Sequence, residues 1–333
     1  MKQHSSSTFI SAVIPTYNRK MFVARAIRSI LVQDVQPDEI IVIDDGSTDG
    51  TGNYLQATFG DVVKVVSQPN GGVSSARRRG VQEACGEWIA FLDSDDEWTP
   101  GRMAVLRSAA LSLPEDVSWL FGDTQIITDD DQDQKIQTVF SKFGLSINEE
   151  INVFSDTMAT QFPFQFGLLQ SSLIRREALL SVDAFSEDLY SSEDFLVGFT
   201  IALKYGIAAV PHIVTRLYRT NDLAASSLDR LGRTQPDYHR ARMIAFGLAI
   251  RAARSGSWSR LYEEGVRGYC ISLARLGRVD RRSAFQQFRY RISLKSIAFA
   301  CASILGARGI RAWEQVKVRA GHQSHRSVAV RPT

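Results

Sequence analysis

The sequence holds little cysteine: Cys85, Cys270 and Cys301 are scattered through 333 residues, with no Cys-x-x-Cys pair. Neither a disulfide framework nor a thiolate zinc site is expected, and a reducing compartment fits. Long apolar runs are also missing. The most apolar late stretch, Ile297 to Leu305, is about half the ~20 residues that a membrane-spanning helix needs. The start, Met1 to Ser7, is polar, and the apolar run from Phe9 to Pro15 is too short for a signal-peptide core. A cytoplasmic protein is therefore expected. Compositional bias is absent too: 44% hydrophobic and 23% charged residues, with 23 Gly and 9 Pro, are globular values. They exclude disorder, collagen and coiled coil as whole-chain descriptions. The length suits one large domain or two modest ones, with a core large enough to need no staples. No internal repeat is found.

A net charge of +3 hides an asymmetry. Residues 226–333 hold 21 Lys and Arg against 6 Asp and Glu, whereas residues 1–225 hold 18 against 30. An acidic front is thus followed by a basic back. A basic segment suits an anionic partner surface, and it equally suits a solvated, arginine-rich helical face.

The first 120 residues alternate between two patterns. Apolar runs at Phe9–Ile14, Glu39–Ile43, Val62–Val66 and Trp88–Leu92 read as buried strands. Helical spacing occupies Met21–Val32, Asp49–Phe59 and Ser74–Cys85. Strands alternating with helices imply a mostly parallel α/β sheet with helices on both faces. Beyond it, Ser118–Thr128 and Lys135–Val139 suggest a hairpin around the acidic loop Asp129–Asp133. That loop reads as a solvated turn, because the glycine and terminal glutamate of an EF-hand are missing. Helices are expected at Arg175–Leu180 and Asp194–Tyr205, and a strand at Ala208–Thr215.

In such sheets, ligands bind outside the carboxyl ends of the strands. Here those ends carry Thr16-Tyr17-Asn18, Asp44-Asp45, Gln68-Pro69-Asn70 and Asp93-Ser94-Asp95-Asp96. Carboxylates at i and i+2 after a buried strand can face one cleft. They need a cation or donors to compensate them, and all-oxygen ligands suit Mg²⁺ or Mn²⁺ beside substrate phosphates. Asp96 reads equally well as the N-cap of a helix near Pro100. Asp44 and Asp45 suit a nucleobase N–H or ribose hydroxyls, or else a turn rich in capping residues. Asn70-Gly71-Gly72 permits close backbone approach, and an arginine among Arg77, Arg78 and Arg79 can meet phosphate. Successive arginines cannot share one helix face, so one or two at most reach a site.

Taken in order, Val13-Ile14-Pro15-Thr16-Tyr17-Asn18-Arg19, Ile41-Val42-Ile43-Asp44-Asp45-Gly46-Ser47-Thr48-Asp49, Asn70-Gly71-Gly72 through Ala76-Arg77, and Phe91-Leu92-Asp93-Ser94-Asp95-Asp96 resemble the family-2 glycosyltransferases of the GT-A fold. The resemblance covers about residues 8 to 220. It implies an inverting transfer from a nucleoside-diphosphate sugar, a UDP-sugar being favoured, with Mg²⁺ or Mn²⁺. It places Pro15, Tyr17, Asp45, Arg77, Asp93 and Ser94 around the donor, with Tyr17 packing on the base, and Asp95 on the metal. Ser191-Ser192-Glu193-Asp194-Phe195 resembles the acidic pair at a helix start where the aspartate is the catalytic base, which makes Asp194 the candidate. Asp44, Asn70, Glu193 and Asn221 are further candidates.

Two departures matter. Where many relatives carry Tyr-Arg-x-His, this chain has Tyr218-Arg219-Thr220-Asn221, and Asn221 cannot carry charge. The Gln-x-x-Arg-Trp string of processive synthases is absent, so transfer of a single sugar is expected. The acceptor would be a glycan or a lipid-linked glycan, in surface polysaccharide assembly. The expected layout is a GT-A domain over 8–225, a basic helical extension over 226–320 and a loose tail over 321–333. Arg275, Arg278, Arg281, Arg282, Arg289 and Arg291 flank apolar residues such as Leu273, Phe285 and Phe288. Such helices can lie peripherally in a membrane interface, or pack on the core or on a second subunit. No nucleic-acid-binding module is present. Two rivals remain at this stage. A sugar nucleotidyltransferase would need a Gly-rich basic loop after the first strand, where Thr16-Tyr17-Asn18-Arg19 stands. A non-catalytic sugar-nucleotide-binding scaffold is disfavoured by Asp95 and Asp194.

Overall fold

Ile10, Ala12 and Ile14 point to one face of the first strand and Val13 to the other, and all four are fully buried. A strand buried on both faces belongs in the middle of a sheet covered on both sides. In a computed structural model of the chain, this strand, β1 (Ile10–Thr16), lies between two parallel partners. The structure describes residues 8–128, 136–147, 150–154, 168–182, 185, 193–202 and 204–219, with single positions at 240, 299 and 310.

The elements continue as α1 (Lys20–Leu31), β2 (Glu39–Asp44), α2 (Thr51–Phe59), β3 (Lys64–Ser67), α3 (Gly72–Glu83) and β4 (Trp88–Phe91). Next come β5 (Glu97–Trp98), α4 (Arg102–Leu111), β6 (Val117–Thr128), β7 (Gln137–Thr138), α5 (Val139–Phe143) and β8 (Asn152–Phe154). Then follow β9 (Ser172–Arg175), α6 (Arg176–Ser181), α7 (Glu193–Ala202) and β10 (Gly206–Arg219). The sheet order is β3-β2-β1-β4-β9-β6-β10-β5, with β7 beside β6 and β8 beside β10. The expected mostly parallel sheet is present, with β1, β2, β3 and β4 parallel and β10 parallel to β6, and β9 is inserted antiparallel between β4 and β6. The expected third strand starts two residues late, because Gly60–Val62 forms a 3₁₀ turn. The hairpin partner of β6 is only two residues long, since Val139 opens a helix capped by Thr138. The acidic loop between them lies outside the described residues.

Two cores sandwich the sheet. On one face, Val23, Ile27 and Ile30 of α1 and Met103 and Leu106 of α4 pack on Ile10, Ala12 and Ile14. On the other, Ala76 and Val81 of α3, Leu179 of α6 and Val197 and Ile201 of α7 pack with Val13, Phe91 and Trp119. A Cβ on Gly80 would stand 2.2 Å from Val13 Cγ1, so only glycine lets α3 lie this close to β1.

Pro15 determines where β1 parts from β4. Successive residues of a strand direct their backbone groups to opposite sides. Thr16 O accepts from Asp45 N on the β2 side, and Val13 O accepts from Leu92 N on the β4 side, at 2.9 and 3.0 Å. The nitrogen of Pro15 therefore faces β4. Continuing the parallel ladder there would require an N–H that proline lacks. The pairing stops, and the chain is free to leave the sheet at Asp93.

The chain divides into two compact units, residues 1–227 and 228–333. In the second, Phe299 and Ile310 are fully buried. Apart from these two and position 240, the expected basic extension and the tail from 321 lie outside the described residues. Among the described residues, no helix is long and apolar enough to cross a membrane.

Candidate functional site

The carboxyl ends of β1, β2, β3 and β4 are fastened to one another by side chains. Asn18 follows β1 in a left-handed conformation with φ of +51°. Its N–H donates to Ser47 Oγ at 2.9 Å, and its Oδ1 accepts from the N–H groups of Thr48 and Asp49 at 2.8 and 3.3 Å. Asparagine tolerates this backbone better than most residues. Tyr17 is 45% exposed at the carboxyl end of β1, while Thr16 and Pro15 stay in the strand.

Asp44 and Asp45 are both buried. Asp44 Oδ1 accepts from Ser47 N at 3.0 Å and holds the turn after β2. Asp45 bridges to the next strand end. Its Oδ1 accepts from Gln68 Nε2 at 2.8 Å and Gly71 N at 3.0 Å, and its Oδ2 from Gly72 N at 2.8 Å. The Asn70 turn is thus tied to β2. Gly46, at φ of +80°, lets the two loops close, since a Cβ there would lie 2.9 Å from Asn70 N.

The three consecutive arginines of α3 go three ways. Arg77, buried, places Nη2 2.6 Å from Asp93 Oδ1. Arg78 donates to the Phe185 carbonyl, and Arg79 pairs with Glu83 one turn on. One arginine of the three reaches the strand edge, within the limit that helix geometry sets.

Beyond Asp93 the chain turns tightly, with Asp96 N donating to Asp93 O at 3.0 Å. Ser94, Asp95 and Asp96 are all buried. Asp95 Oδ2 lies 2.6 Å from Arg19 Nη1. Burial pushes the Asp95 carboxyl up, Arg19 opposes that, and the charge of Asp93 adds to it. Arg25 of α1 donates Nη2 to the Asp95 carbonyl at 2.6 Å, pairs with Glu97 at 2.9 Å, and lies over the Tyr218 ring at 4.2 Å.

Asp96 does not cap a helix. Gly101 takes that position before α4 with no side-chain cap, and Asp96 turns inward. Its Oδ1 accepts from Tyr218 N at 3.1 Å, and Gln170 Nε2 stands 3.5 Å from its Oδ2. Burial, then the charges of Asp95 and Asp93, push its carboxyl well above the usual range. Behind it lies Arg102, also buried. Arg102 donates to the Gln170 carbonyl at 2.5 Å, Thr215 Oγ1 at 2.6 Å and Ser172 O at 3.2 Å, and stacks over Trp98. Burial lowers its guanidinium to about 9, so it remains charged at neutral pH. Gln170 thus links a buried carboxyl to a buried guanidinium and brings the end of β10 against the acidic turn.

Arg19, Arg25 and Arg102 carry no site role in the sequence reading, and Asp96 stands there between the acidic run and a helix cap. For Arg102 a signal existed: it shares helical spacing with Met103, Leu106, Ala109 and Ala110, all buried, so it falls on the core face of α4. For Arg19 and Arg25 there was none, because their partners lie 70 or more residues away.

Asp194 is half-buried at the second position of α7. That helix packs on the same face as α3 and leads to the amino end of β10, so its own amino end lies toward the carboxyl edge of the sheet. The structure therefore places Pro15, Tyr17, Asp44, Asp45, Asn70, Arg77, Asp93, Ser94 and Asp95 along one edge. Asp194 lies toward that edge on the α3 face. Glu193 begins α7, and Asn221 lies outside the described residues. Among the described residues, no three His, Cys, Asp or Glu side chains converge as a complete metal cage. Asp93 meets Arg77 through its Oδ1, and Asp95 meets Arg19 through its Oδ2. That donor set fits a hard cation shared with a phosphate-bearing ligand, which typically needs only one or two carboxylates.

Comparison with known proteins agrees with this architecture. The chain is 31% identical over 210 residues to an uncharacterized glycosyltransferase of Rickettsia conorii, covering 63% of this chain and 32% of that protein. It is 30% identical over 188 residues to the GalNAc(5)-diNAcBac-PP-undecaprenol beta-1,3-glucosyltransferase of Campylobacter jejuni, covering 55% of this chain and 57% of that protein. The chain thus spans between a third and just over half of these relatives' lengths. Among solved structures, S. aureus TarS 1-349 in complex with UDP-GlcNAc aligns with a TM-score of 0.61 at 18% identity, over 93% of this chain and 92% of that one. Mannosyltransferase PcManGT from Pyrobaculum calidifontis, in complex with GDP-Man and Mn²⁺, aligns at 0.54 and 16% identity, over 93% and 84%. These likenesses establish the GT-A fold. The family model for glycosyl transferase family 2 matches residues 11–180. A match that runs over half of the chain, from β1 to α6, and takes in the ends of β1 through β4 leaves one conclusion: the chain belongs to glycosyl transferase family 2.

Proposed function

We propose that the chain transfers one sugar, with inversion, from a nucleoside-diphosphate sugar to a hydroxyl of a glycan or lipid-linked acceptor. The observation that carries this reading is the convergence of Asp45, the Arg77–Asp93 pair and Asp95 along the edge beside Tyr17. The TarS complex with UDP-GlcNAc and the PcManGT complex with GDP-Man support a nucleotide-sugar donor. We favour a UDP-sugar. The undecaprenol-linked substrate in the name of the Campylobacter relative supports a lipid-linked acceptor and a role in surface polysaccharide assembly.

In this reading, Tyr17 stacks on the base, and Pro15, Ser94 and Asn70 help line the pocket. Asp45 and its bound loop shape the nucleoside side. Asp95, with Asp93, would hold Mg²⁺ or Mn²⁺, which would supply positive charge to offset that developing on the departing nucleoside diphosphate. Asp194 accepts the proton of the acceptor hydroxyl as its oxygen bonds to the anomeric carbon and the bond to the diphosphate oxygen breaks. The basic balance of residues 226–333 supports peripheral contact with an anionic membrane face on the cytoplasmic side. Co-sedimentation with anionic liposomes at low salt tests that contact, and absence of binding would remove it.

Calorimetric titration of UDP and of GDP, with and without Mn²⁺, tests the site. Binding of one nucleotide that depends on Mn²⁺ and is lost in Asp95→Ala is the expected result. Failure of folded protein to bind either nucleotide would overturn the reading.

A further inference from the structure

Tyr218 grips the acidic turn twice. Its N–H donates to Asp96 Oδ1 at 3.1 Å, and the Arg25 guanidinium lies over its ring, 4.2 Å from the centroid. Arg25 in turn donates Nη2 to the carbonyl of Asp95 at 2.6 Å. Its Nε pairs with Glu97 Oε1 at 2.9 Å, and the Phe22 ring stands 5.7 Å away. The peptide between Asp95 and Asp96 is thus held on both sides: its oxygen by Arg25, and the side chain that follows it by the backbone of Tyr218. Both holds end on one residue of β10. That strand is itself fixed there, by β5 where Arg216 stands opposite Glu97, and by β6 out to Arg219 opposite Thr128. The Arg25 side chain is 38% exposed, and an ion pair so open to water contributes little to overall stability. A charged donor spent on a single backbone oxygen of the acidic turn does more for the turn's geometry than for the core.

We propose that Arg25 and Tyr218 are positioning residues for Asp95: together they fix the 95–96 peptide, so that the Asp95 carboxylate is presented in one orientation to a divalent cation shared with the donor diphosphate. The inference rests on the reading of Asp95 as the metal-holding residue. An aspartate side chain is short, so a tilt of its peptide plane carries the carboxylate with it. Metal–oxygen distances tolerate only a few tenths of an ångström, and groups that orient a ligand from behind therefore govern affinity without touching the ion. Arg25 acts on Asp95 directly, through the carbonyl. The Tyr218 ring acts through Arg25, by seating the guanidinium where its Nη2 meets that carbonyl. The Tyr218 N–H keeps Asp96 turned inward, so the turn cannot roll about the Arg25 contact.

The test is calorimetric titration of UDP at a series of Mn²⁺ concentrations, on the full chain and well below its melting temperature. The quantity read is the Mn²⁺ concentration that supports half-maximal UDP binding. Wild type, Arg25→Met, Arg25→Lys, Tyr218→Leu, the Arg25→Met/Tyr218→Leu double variant and Asp95→Ala are compared. Arg25→Met is expected to raise the Mn²⁺ requirement about 10- to 100-fold, the range for loss of a group that orients a metal ligand. Arg25→Lys keeps a cationic donor and is expected to recover most of that loss. Tyr218→Leu keeps the N–H on Asp96 but removes the ring beneath Arg25, so a smaller rise is expected. The double variant should be no worse than Arg25→Met alone, because the ring works through the arginine. A merely structural contact would lower the melting temperature and leave the Mn²⁺ requirement of the folded protein unchanged. That result in Arg25→Met, with Mn²⁺-dependent binding still lost in Asp95→Ala, would overturn the positioning role alone. Effects that multiply in the double variant would overturn the action of Tyr218 through Arg25. An unchanged Mn²⁺ requirement in Asp95→Ala would overturn the metal reading and the inference with it. Should Arg25→Met not fold, Tyr218→Leu decides by the same criterion.

Discussion

Arg77 Nη2 and Asp93 Oδ1 stand 2.6 Å apart, so the middle of α3 is joined by an ion pair to the residue at which the chain leaves β4. Breaking a fully buried pair from one side costs roughly 3–5 kcal/mol, because the partner charge is stranded. The Asp93 side chain is 27% exposed, so water would recover part of that loss. Arg77→Met is expected to cost about 2 kcal/mol in urea denaturation and to weaken UDP binding at least tenfold. Adding Asp93→Asn should restore part of the stability but none of the binding.

Asp194→Asn separates chemistry from donor binding. Turnover with a competent acceptor should fall about 10²- to 10⁴-fold, the range for loss of a general base. UDP affinity by calorimetry should stay within about twofold, since Asp194 has no assigned donor contact. Near-normal turnover in purified Asp194→Asn would remove it from the role of base.

The close seat of α3 depends on Gly80. Gly80→Ala gains helix propensity worth up to ~1 kcal/mol. It also drives a methyl to 2.2 Å from Val13 Cγ1. Overpacking of this kind costs roughly 1–3 kcal/mol, so a net loss of stability is expected. Val13→Ala should therefore cost less in the Gly80→Ala background than in wild type. A simple sum of the two single effects would mean that α3 and β1 part without cost.

Asp49 gives a pH signature remote from the acidic turn. It accepts from Thr51 N at 3.0 Å and Thr51 Oγ1 at 2.5 Å at the start of α2. Burial acts to raise its carboxyl, but the hydrogen bonds from Thr51 and the proximity of Lys20 leave it below the usual 3.8. A carboxyl lowered by folding stabilises the protein above its unfolded value and loses that contribution as pH falls through the folded one. Asp49→Asn is therefore expected to cost about 1 kcal/mol at pH 7, the scale of a helix cap. The difference from wild type should fade below pH 3.8. A gap that persisted undiminished into acid would assign the effect to shape rather than charge.

The first four strands were legible as apolar runs, and the polar residues at their ends followed from them; β1, β2 and β4 are buried as expected, whereas β3, at the end of the sheet, is half-buried to exposed. What escaped was non-local. Ser172–Arg175 is short and antiparallel, and only its neighbours β4 and β6, distant in sequence, make it a strand. Asp96 had the local look of a helix cap, yet its partner is the backbone of Tyr218, 122 residues on. Asp45 offered acceptors in the sequence, but only the fold shows that Gln68, Gly71 and Gly72 already use them. Local pattern reports which surfaces are buried. It carries little about which polar groups meet across the fold, and those meetings build most of this site.

Pro15 carries one more consequence. Past Val13 the ladder between β1 and β4 stops, and a strand side left by its partner is in general a template on which another segment can add itself. With no N–H at Pro15, that side of β1 cannot carry a ladder further for any substitute strand. The imino acid that releases the acidic turn from the sheet also keeps another segment from taking the place of β4 there.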